Sequence, residues 1–318
     1  MRMNLIDSQQ ALSFLVSQVS HIESEVYRIQ YPDIQYSQLI PVDTSGNEWA
    51  KSITFFSMDK VGQADWFNHL ATHMPKADIN KTKHEQGIEM AAIGYGYTLE
   101  EIGQATMVPG LNLSTERADA ARFAYEQFVD DIAFLGDDGK GWTGLINNAS
   151  VTRVDAAATG TGSSRLWSDK TADQMITDVN DALSGIYTGS STVEMADTIL
   201  LPPAALILLS TARLSNTSEN ALSYLMKYNV YKLQTGRDLT IRSVLALEYA
   251  GTAGVGRMVA YKKDPRVLKM HIPMPHRFLP VWQTSPIGFD IPGIFRLGGV
   301  EIRRPGAVRY VDGITPAA

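Results

Sequence analysis

The sequence predicts an α+β protein organised around one long helix, and three stretches predict it. Across residues 115–135, Ala118, Ala121, Tyr125, Phe128, Ile132 and Leu135 fall on one stripe at spacings of three and four, with most charged residues off it, which is the pattern of a half-buried helix. Residues 87–97 alternate as a strand does, with Ile88, Met90 and Ala92 on one side and Ile93, Tyr95 and Tyr97 after a change of phase. Residues 294–311 read as strands separated by turns at Gly298-Gly299 and Pro305-Gly306.

The long helix has the signals of a defined start and stop. Ser114 is a candidate N-cap, Glu116 favours the positive end of the helix dipole, and Gly136 is a candidate left-handed stop. In the alternating stretch, the change of phase suggests a bulge. Gly94 and Gly96 fit either that bulge or a close approach of two backbones. Nearer the N-terminus, residues 8–30 read as an amphipathic helix with Leu12, Leu15, Val19, Ile22, Val26 and Ile29 on one face, ended by Pro32. That face can pack on its own domain or on a neighbouring subunit.

Residues 47–70 read as a β-hairpin or extended loop. Ile53, Phe55 and Phe56 form a strand-like run, Asp59 to Gly62 is turn-prone, and Trp66-Phe67 follows. Two readings stay open: ordinary core strands, or a projecting loop whose aromatics Trp49, Phe55, Phe56, Trp66 and Phe67 bury on another chain as interface anchors.

Residues 150–168, rich in Ala, Thr, Gly and Ser, read as a loop or a seam between domains. Beyond them, helices are predicted at Thr171–Tyr187, Pro203–Leu214 and Glu219–Leu233, the last with Leu222, Leu225, Met226, Val230 and Leu233 inward. Strands are predicted at Thr198–Leu201, Leu239–Leu247, Arg257–Tyr261 and Val267–Ile272.

Composition narrows the function classes. The chain has 318 residues, 44% hydrophobic and 19% charged, which suits a folded protein with a sizeable core. Its formal net charge of -6 argues against a sequence-specific nucleic-acid binder but not against a container for nucleic acid. With no cysteine, disulfides, thiolate catalysis and cysteine zinc sites are excluded. The start does not read as a signal peptide, and the most apolar stretch, Ile199–Leu209, is broken by Pro202-Pro203 and too short for a membrane span. The expectation is therefore a soluble protein, intracellular when made, with no membrane partner.

The reactive inventory is nearly empty. His69 and His73 stand four apart with His84 beyond, but Leu70 occupies the place where a zincin needs Glu. Gly136–Gly144 is glycine-rich around Lys140, yet Gly141 follows where a phosphate loop needs Ser or Thr, and the segment follows a helix rather than a strand. No Gly-x-Ser-x-Gly elbow exists. Asp130-Asp131 and Asp137-Asp138 point about 100° apart on a helix and read as solvated surface. Arg296, Arg303, Arg304 and Arg309 are candidates for ion pairs between subunits. No catalytic, metal or cofactor site is predicted.

The order of parts resembles that of tailed-bacteriophage major capsid proteins with the Hong Kong 97-like fold. The local likeness lies in Gly94-Tyr95-Gly96-Tyr97-Thr98-Leu99-Glu100-Glu101-Ile102, in Ala118–Leu135, and in Gly136-Asp137 followed by Gly144-Leu145-Ile146-Asn147-Asn148. In layout it covers nearly the whole chain, and it extends to a phage capsid family formerly catalogued as a domain of unknown function. The resemblance implies an N-terminal arm over 1–46 and an extended loop over 47–70. It further implies a peripheral domain over 71–167 with 115–135 as its spine helix, an axial domain over 168–285, and strands over 286–318 returning to the peripheral domain. It implies pentamers and hexamers of this chain in an icosahedral virion shell, assembled in a host cytoplasm around double-stranded DNA. Scaffold, portal and decoration proteins are its further partners, although the chain has no long charged leader of its own. Lys51 and Lys60 lie in the loop, but nothing in the sequence converges on them to form a covalent link. The alternatives are an encapsulin-like nanocompartment shell and a soluble α/β metalloenzyme using His69, His73 and His84.

Overall fold

The computed structural model describes residues 34–66, 76–101, 113–215 and 217–317. The expected helix over 8–30, the residues His69, His73 and Phe67, and the side chain of Ser114 lie outside what it describes.

The rod helix runs from Leu113 to Phe134. Its buried face is Ala121, Tyr125, Val129, Ile132 and Ala133. Two residues expected inward, Phe128 and Leu135, are exposed. The inward face centres on Val129, and Phe128 stands about 100° round from it. Gly136, at φ +76°, ends the helix in the left-handed conformation that glycine adopts without strain. A two-residue ladder then pairs Gly136–Asp137 with Trp142–Thr143 around a short 3-10 turn, so the glycine-rich segment is a tight connection.

The alternating stretch forms two strands, Glu89–Ala92 and Tyr95–Thr98. They pair with Gly293–Leu297 and Gly288–Ile291 respectively. The register is unbroken across the interruption, since Ala92 faces Ile294 and Tyr95 faces Ile291. No residue is inserted on either strand, so the expected bulge is absent. The ladder bends instead, where Ile93-Gly94 meets Pro292-Gly293. A Cβ at Gly94 would lie 2.3 Å from the Ile291 carbonyl oxygen, so close backbone approach explains this glycine. Phe295, on this ladder, meets the rod helix edge-on at Tyr125, with ring centroids 4.7 Å apart.

The remaining core is organised by a five-stranded sheet in the order Thr240–Ser243, Thr198–Leu201, Arg257–Tyr261, Val308–Asp312, Thr152–Asp155. Its two strands with all residues buried, Thr198–Leu201 and Arg257–Tyr261, are apolar apart from Thr198 and Arg257 at their starts, because both faces are covered. Successive residues feed opposite cores, as the two-residue period of a strand requires. Leu200, Val259, Tyr261 and Tyr310 join the cluster containing the rod helix. Ile199, Leu201, Met258, Ala260 and Val311 join a second cluster under the helix Ala172–Gly189. The sheet is thus a partition between two cores.

Several expectations are corrected in this half. Thr152–Asp155, read as loop, is an edge strand parallel to Arg309–Asp312. The helix expected over Glu219–Leu233 is two, Ala221–Lys227 and Val230–Thr235. Buried Asn229 divides them. Its side-chain oxygen accepts from the Lys232 amide at 2.7 Å, and its amide donates to the Leu225 carbonyl at 2.8 Å. An asparagine that can serve both backbone groups favours a cap over a helix interior. The split turns Leu225 and Tyr231 inward and leaves Leu233 80% exposed. The strand expected to run to Leu247 stops at Ser243 and gives way to a 3-10 turn over Leu245–Glu248.

Buried ion pairs tie the pieces together. Arg257 forks onto Asp312 at 2.6 and 2.9 Å, donates a third bond to the Ile146 carbonyl, and lies over the Tyr310 ring. Lys170 and the Trp167 indole both donate to Asp178, at 2.5 and 2.8 Å.

Candidate assembly surface

A long hairpin stands largely uncovered by the rest of the described chain. Ser52–Val61 pairs with Asp78–Gly87, ten residues on each strand, and reaches about 30 Å at the usual strand rise. Asp59 to Val61, expected in a turn, are ladder residues paired with Asn80 to Asp78. The turn propensity of Asp59 and Gly62 is outweighed by the flanking Met58, Lys60 and Val61, which complete the pairing.

Adjacent strand residues point to opposite faces, and this separates the predicted aromatics. Phe55 stacks on its cross-strand partner His84, with centroids 4.7 Å apart, and Arg303 lies 4.3 Å from its ring centre. That face belongs to the chain's own body. Phe56 faces the other way, on the same face as Met58 and, further along, Ile79, and is 52% exposed. The cation of Lys81 sits 4.0 Å from its ring centre. Trp49, before the hairpin, is 63% exposed, and Trp66, just past its first strand, is 100% exposed. Of this set, Met58 and Ile79 were missed by sequence reasoning. Their signal was the two-residue alternation that extends the Phe56 face, which became readable only with the register.

The root of the hairpin is firmly tied. The Ile88 amide donates to the Lys51 carbonyl at 2.9 Å, the Gln86 amide to the Gly298 carbonyl at 2.6 Å, and Arg296 to the Glu48 carbonyl at 2.9 Å. Beneath it lies a charged cluster of Asp43, Lys269, His271, Glu301 and Arg303. Lys269 bonds Asp43, His271 Nε2 lies 3.0 Å from Glu301, and Arg303 donates to Glu301 at 2.9 Å. Burial pushes the Glu301 carboxyl up, but hydrogen bonds from His271 and Arg303 outweigh it and hold it below the usual carboxylate range.

Three of the four C-terminal arginines have polar partners within the chain, and Arg309 packs on a helix of the same chain. Arg303 serves Glu301, Arg304 serves Glu194, Arg296 is buried on backbone carbonyls, and Arg309 lies against Gly185 of the helix Ala172–Gly189. Asp130, read as solvated, instead accepts the Gln35 and Tyr36 amides at 3.0 and 2.8 Å and fixes the entering chain to the rod helix. His84 faces Phe55 and lies 3.0 Å from the Ser57 hydroxyl. Among the described residues, no three His, Asp or Glu side chains gather as metal ligands, and no helix is long and apolar enough to cross a membrane.

A second exposed apolar region lies on the small sheet Trp282–Ser285, Gly288–Ile291 and Tyr95–Thr98, where Val281, Trp282, Ile287 and Leu99 face outward. A third comprises Val193, Ile207, Tyr228 and Leu233, around the helices of the second core. Exposed large apolar side chains thus lie on several separate elements of the described chain.

Comparison with known proteins places this geometry. A sequence profile described as major capsid protein matches residues 62–314. The capsid of Myoviridae phage XM1 superposes with a TM-score of 0.79 at 18% identity, covering 94% of this chain and 98% of that one. A chain from Microbacterium phage Oxtober96 gives 0.65 at 12% identity, with 98% and 99% covered. The capsid of an empty GTA particle gives 0.62 at 11% identity, with 99% and 100% covered. These likenesses show a shared α+β capsid fold. No curated protein matches the chain significantly.

Proposed function

Since the chain belongs to the major capsid protein family and is a capsid-forming structural protein, we propose that its copies close into pentamers and hexamers of an icosahedral head around double-stranded DNA. The observation that carries this reading is the hairpin. A two-stranded ribbon is marginal on its own in water, yet this one projects Phe56, Met58 and Ile79 on a face that no part of the described chain covers. A neighbouring copy supplies the missing cover. Trp49, Phe56 and Trp66 are the inter-subunit anchors in this reading, with Phe67, outside the described residues, a further candidate by sequence.

The layout follows that of the family. Residues 1–46 act as an arm, the loop beginning at 47 reaches over a neighbour, the rod helix braces a peripheral domain, 168–285 form the axial domain, and 286–318 return. Many modest contacts made by one chain at once give cooperative closure, and head-to-tail contacts that close give rings. The DNA is contained rather than read, in keeping with the net charge of -6. The role is structural rather than catalytic, and the compartment is the virion, assembled in the host cytoplasm. Expression of the chain, followed by size exclusion and negative-stain microscopy, tests the proposal. Capsomers or megadalton shells are expected, and a stable monomer or dimer at every protein concentration would overturn it.

A further inference from the structure

A groove of about 530 Å³ runs between the rod helix and the 3-10 turn Leu245–Glu248. Its apolar wall includes Ile34, Phe134, Leu135, Val244, Leu245 and Tyr249. Leu135, Leu245 and Tyr249 are exposed there, and Asp131 stands on the lining with them. The hairpin and its anchors are not part of this groove.

The chain itself points to the occupant. Ile34 and Gln35, which line the groove, are where the described chain begins, and Asp130 pins the Gln35 amide to the rod helix. The preceding residues carry the sequence-predicted amphipathic helix over 8–30. A lone helix of that kind is marginal in water and needs an apolar partner for its stripe. From Gln30 to Ile34 an extended chain spans no more than about 14 Å. A tether of that length leaves the last turns of the stripe, Ile22, Val26 and Ile29, within reach of the groove mouth. A tether this short gives an effective concentration in the millimolar range, far above that of other copies in a dilute solution.

We propose that in the unassembled subunit the apolar stripe of residues 8–30 docks into this groove of its own chain, covering Leu135, Leu245 and Tyr249. The groove is then an internal receptor for the arm, distinct from the surface through which the hairpin meets a neighbour.

The chain has no cysteine, so engineered pairs report contact cleanly. The full chain carrying Val26→Cys with Leu245→Cys, or Ile29→Cys with Tyr249→Cys, is kept dilute, shown by sizing to be unassembled, and oxidised mildly. Each pair is expected to give an intrachain disulfide, seen as a single-chain band of raised mobility that reverts with reductant. A control pair, Val26→Cys with Leu233→Cys, is expected to stay reduced. Covalent dimers would assign the groove to another copy and overturn the proposal. So would the absence of a link in both pairs, or equal linking in the control. Hydrogen exchange on the unsubstituted chain gives an independent reading: amides over 19–29 should be protected, and Leu245→Asp should lower that protection at least tenfold. Unprotected amides in the unsubstituted chain would also overturn it. Microscopy of the same samples scores shell formation separately.

Discussion

Phe55 and Phe56 are neighbours in sequence with opposite surroundings, and their substitutions should part accordingly. Phe56→Ser removes an exposed ring and should change unfolding free energy by no more than about 0.5 kcal/mol, while abolishing particles seen by microscopy. Phe55→Ser removes the stack on His84 and the contact with Arg303, and should lower stability by about 1–2 kcal/mol in urea titrations. If Phe56→Ser still gave normal shells, that ring would not be an anchor. A larger effect belongs to Arg257→Ala, which strands the Asp312 carboxylate in the interior. It should cost about 3–5 kcal/mol, read by the same titration. Neither fate was legible in the sequence. Arg257 opens an apolar run and Asp312 closes one, and only the pairing of Arg257 with Asp312 across the sheet brings them together. Arg304 misled for the same reason, because its carboxylate partner, Glu194, lies far away in the chain.

Elements were legible where local chemistry decides and obscure where a distant partner does. Thr198–Leu201 and Arg257–Tyr261 were readable to the residue, since strands buried on both faces are apolar almost throughout. The helix stop at Gly136 was readable because one residue type suits its left-handed turn. The break at Asn229 was not, because a sequence of good helix formers does not announce that one buried amide will serve two backbone groups. The bend at Gly94 was half-readable: the glycine signalled a backbone event, but bulge and close approach leave the same trace. Gly94→Ala tests the difference. Its Cβ would meet backbone atoms of Ile291 and Pro292 at 2.3 and 2.8 Å, so the ladder must shift, at a cost of about 1–3 kcal/mol. Gly141→Ala, at φ +68° with open space around it, should carry only the left-handed penalty of about 1 kcal/mol. Comparable denaturation midpoints for the two variants would count against the bend as the reason for Gly94.

Across the whole molecule, the carboxylates of Asp43, Glu194, Glu301 and Asp312 share one condition. Burial raises each, and hydrogen bonds from Lys269, Lys262, His271 and Arg257 respectively outweigh it, leaving all four below the usual range. A carboxyl depressed in the folded state binds fewer protons there than in the unfolded chain. The stability it contributes is complete above the unfolded value, near pH 4, and is lost as pH falls through the folded values. Thermal midpoints should therefore be level from about pH 7 to 5 and drop steadily from about pH 4 downward; a flat profile to pH 3 would contradict these assignments. At this scale the order of hairpin, rod and closing strands was legible early, because those elements follow one another in the chain. The bare faces were not, since hydrophobic residues look alike whether they meet their own core or a sibling. The hairpin also has a mechanical side. From Asp78 to Thr98 the backbone runs on as one continuous cord that bends at Gly94, paired first with Ser52–Val61 and then with Gly288–Leu297. Tension applied at the hairpin's far end passes along that cord. The cross-links of an antiparallel ladder lie at right angles to it, so they resist together in shear instead of parting one by one like a zip, and a tug there is felt at the Phe295 core.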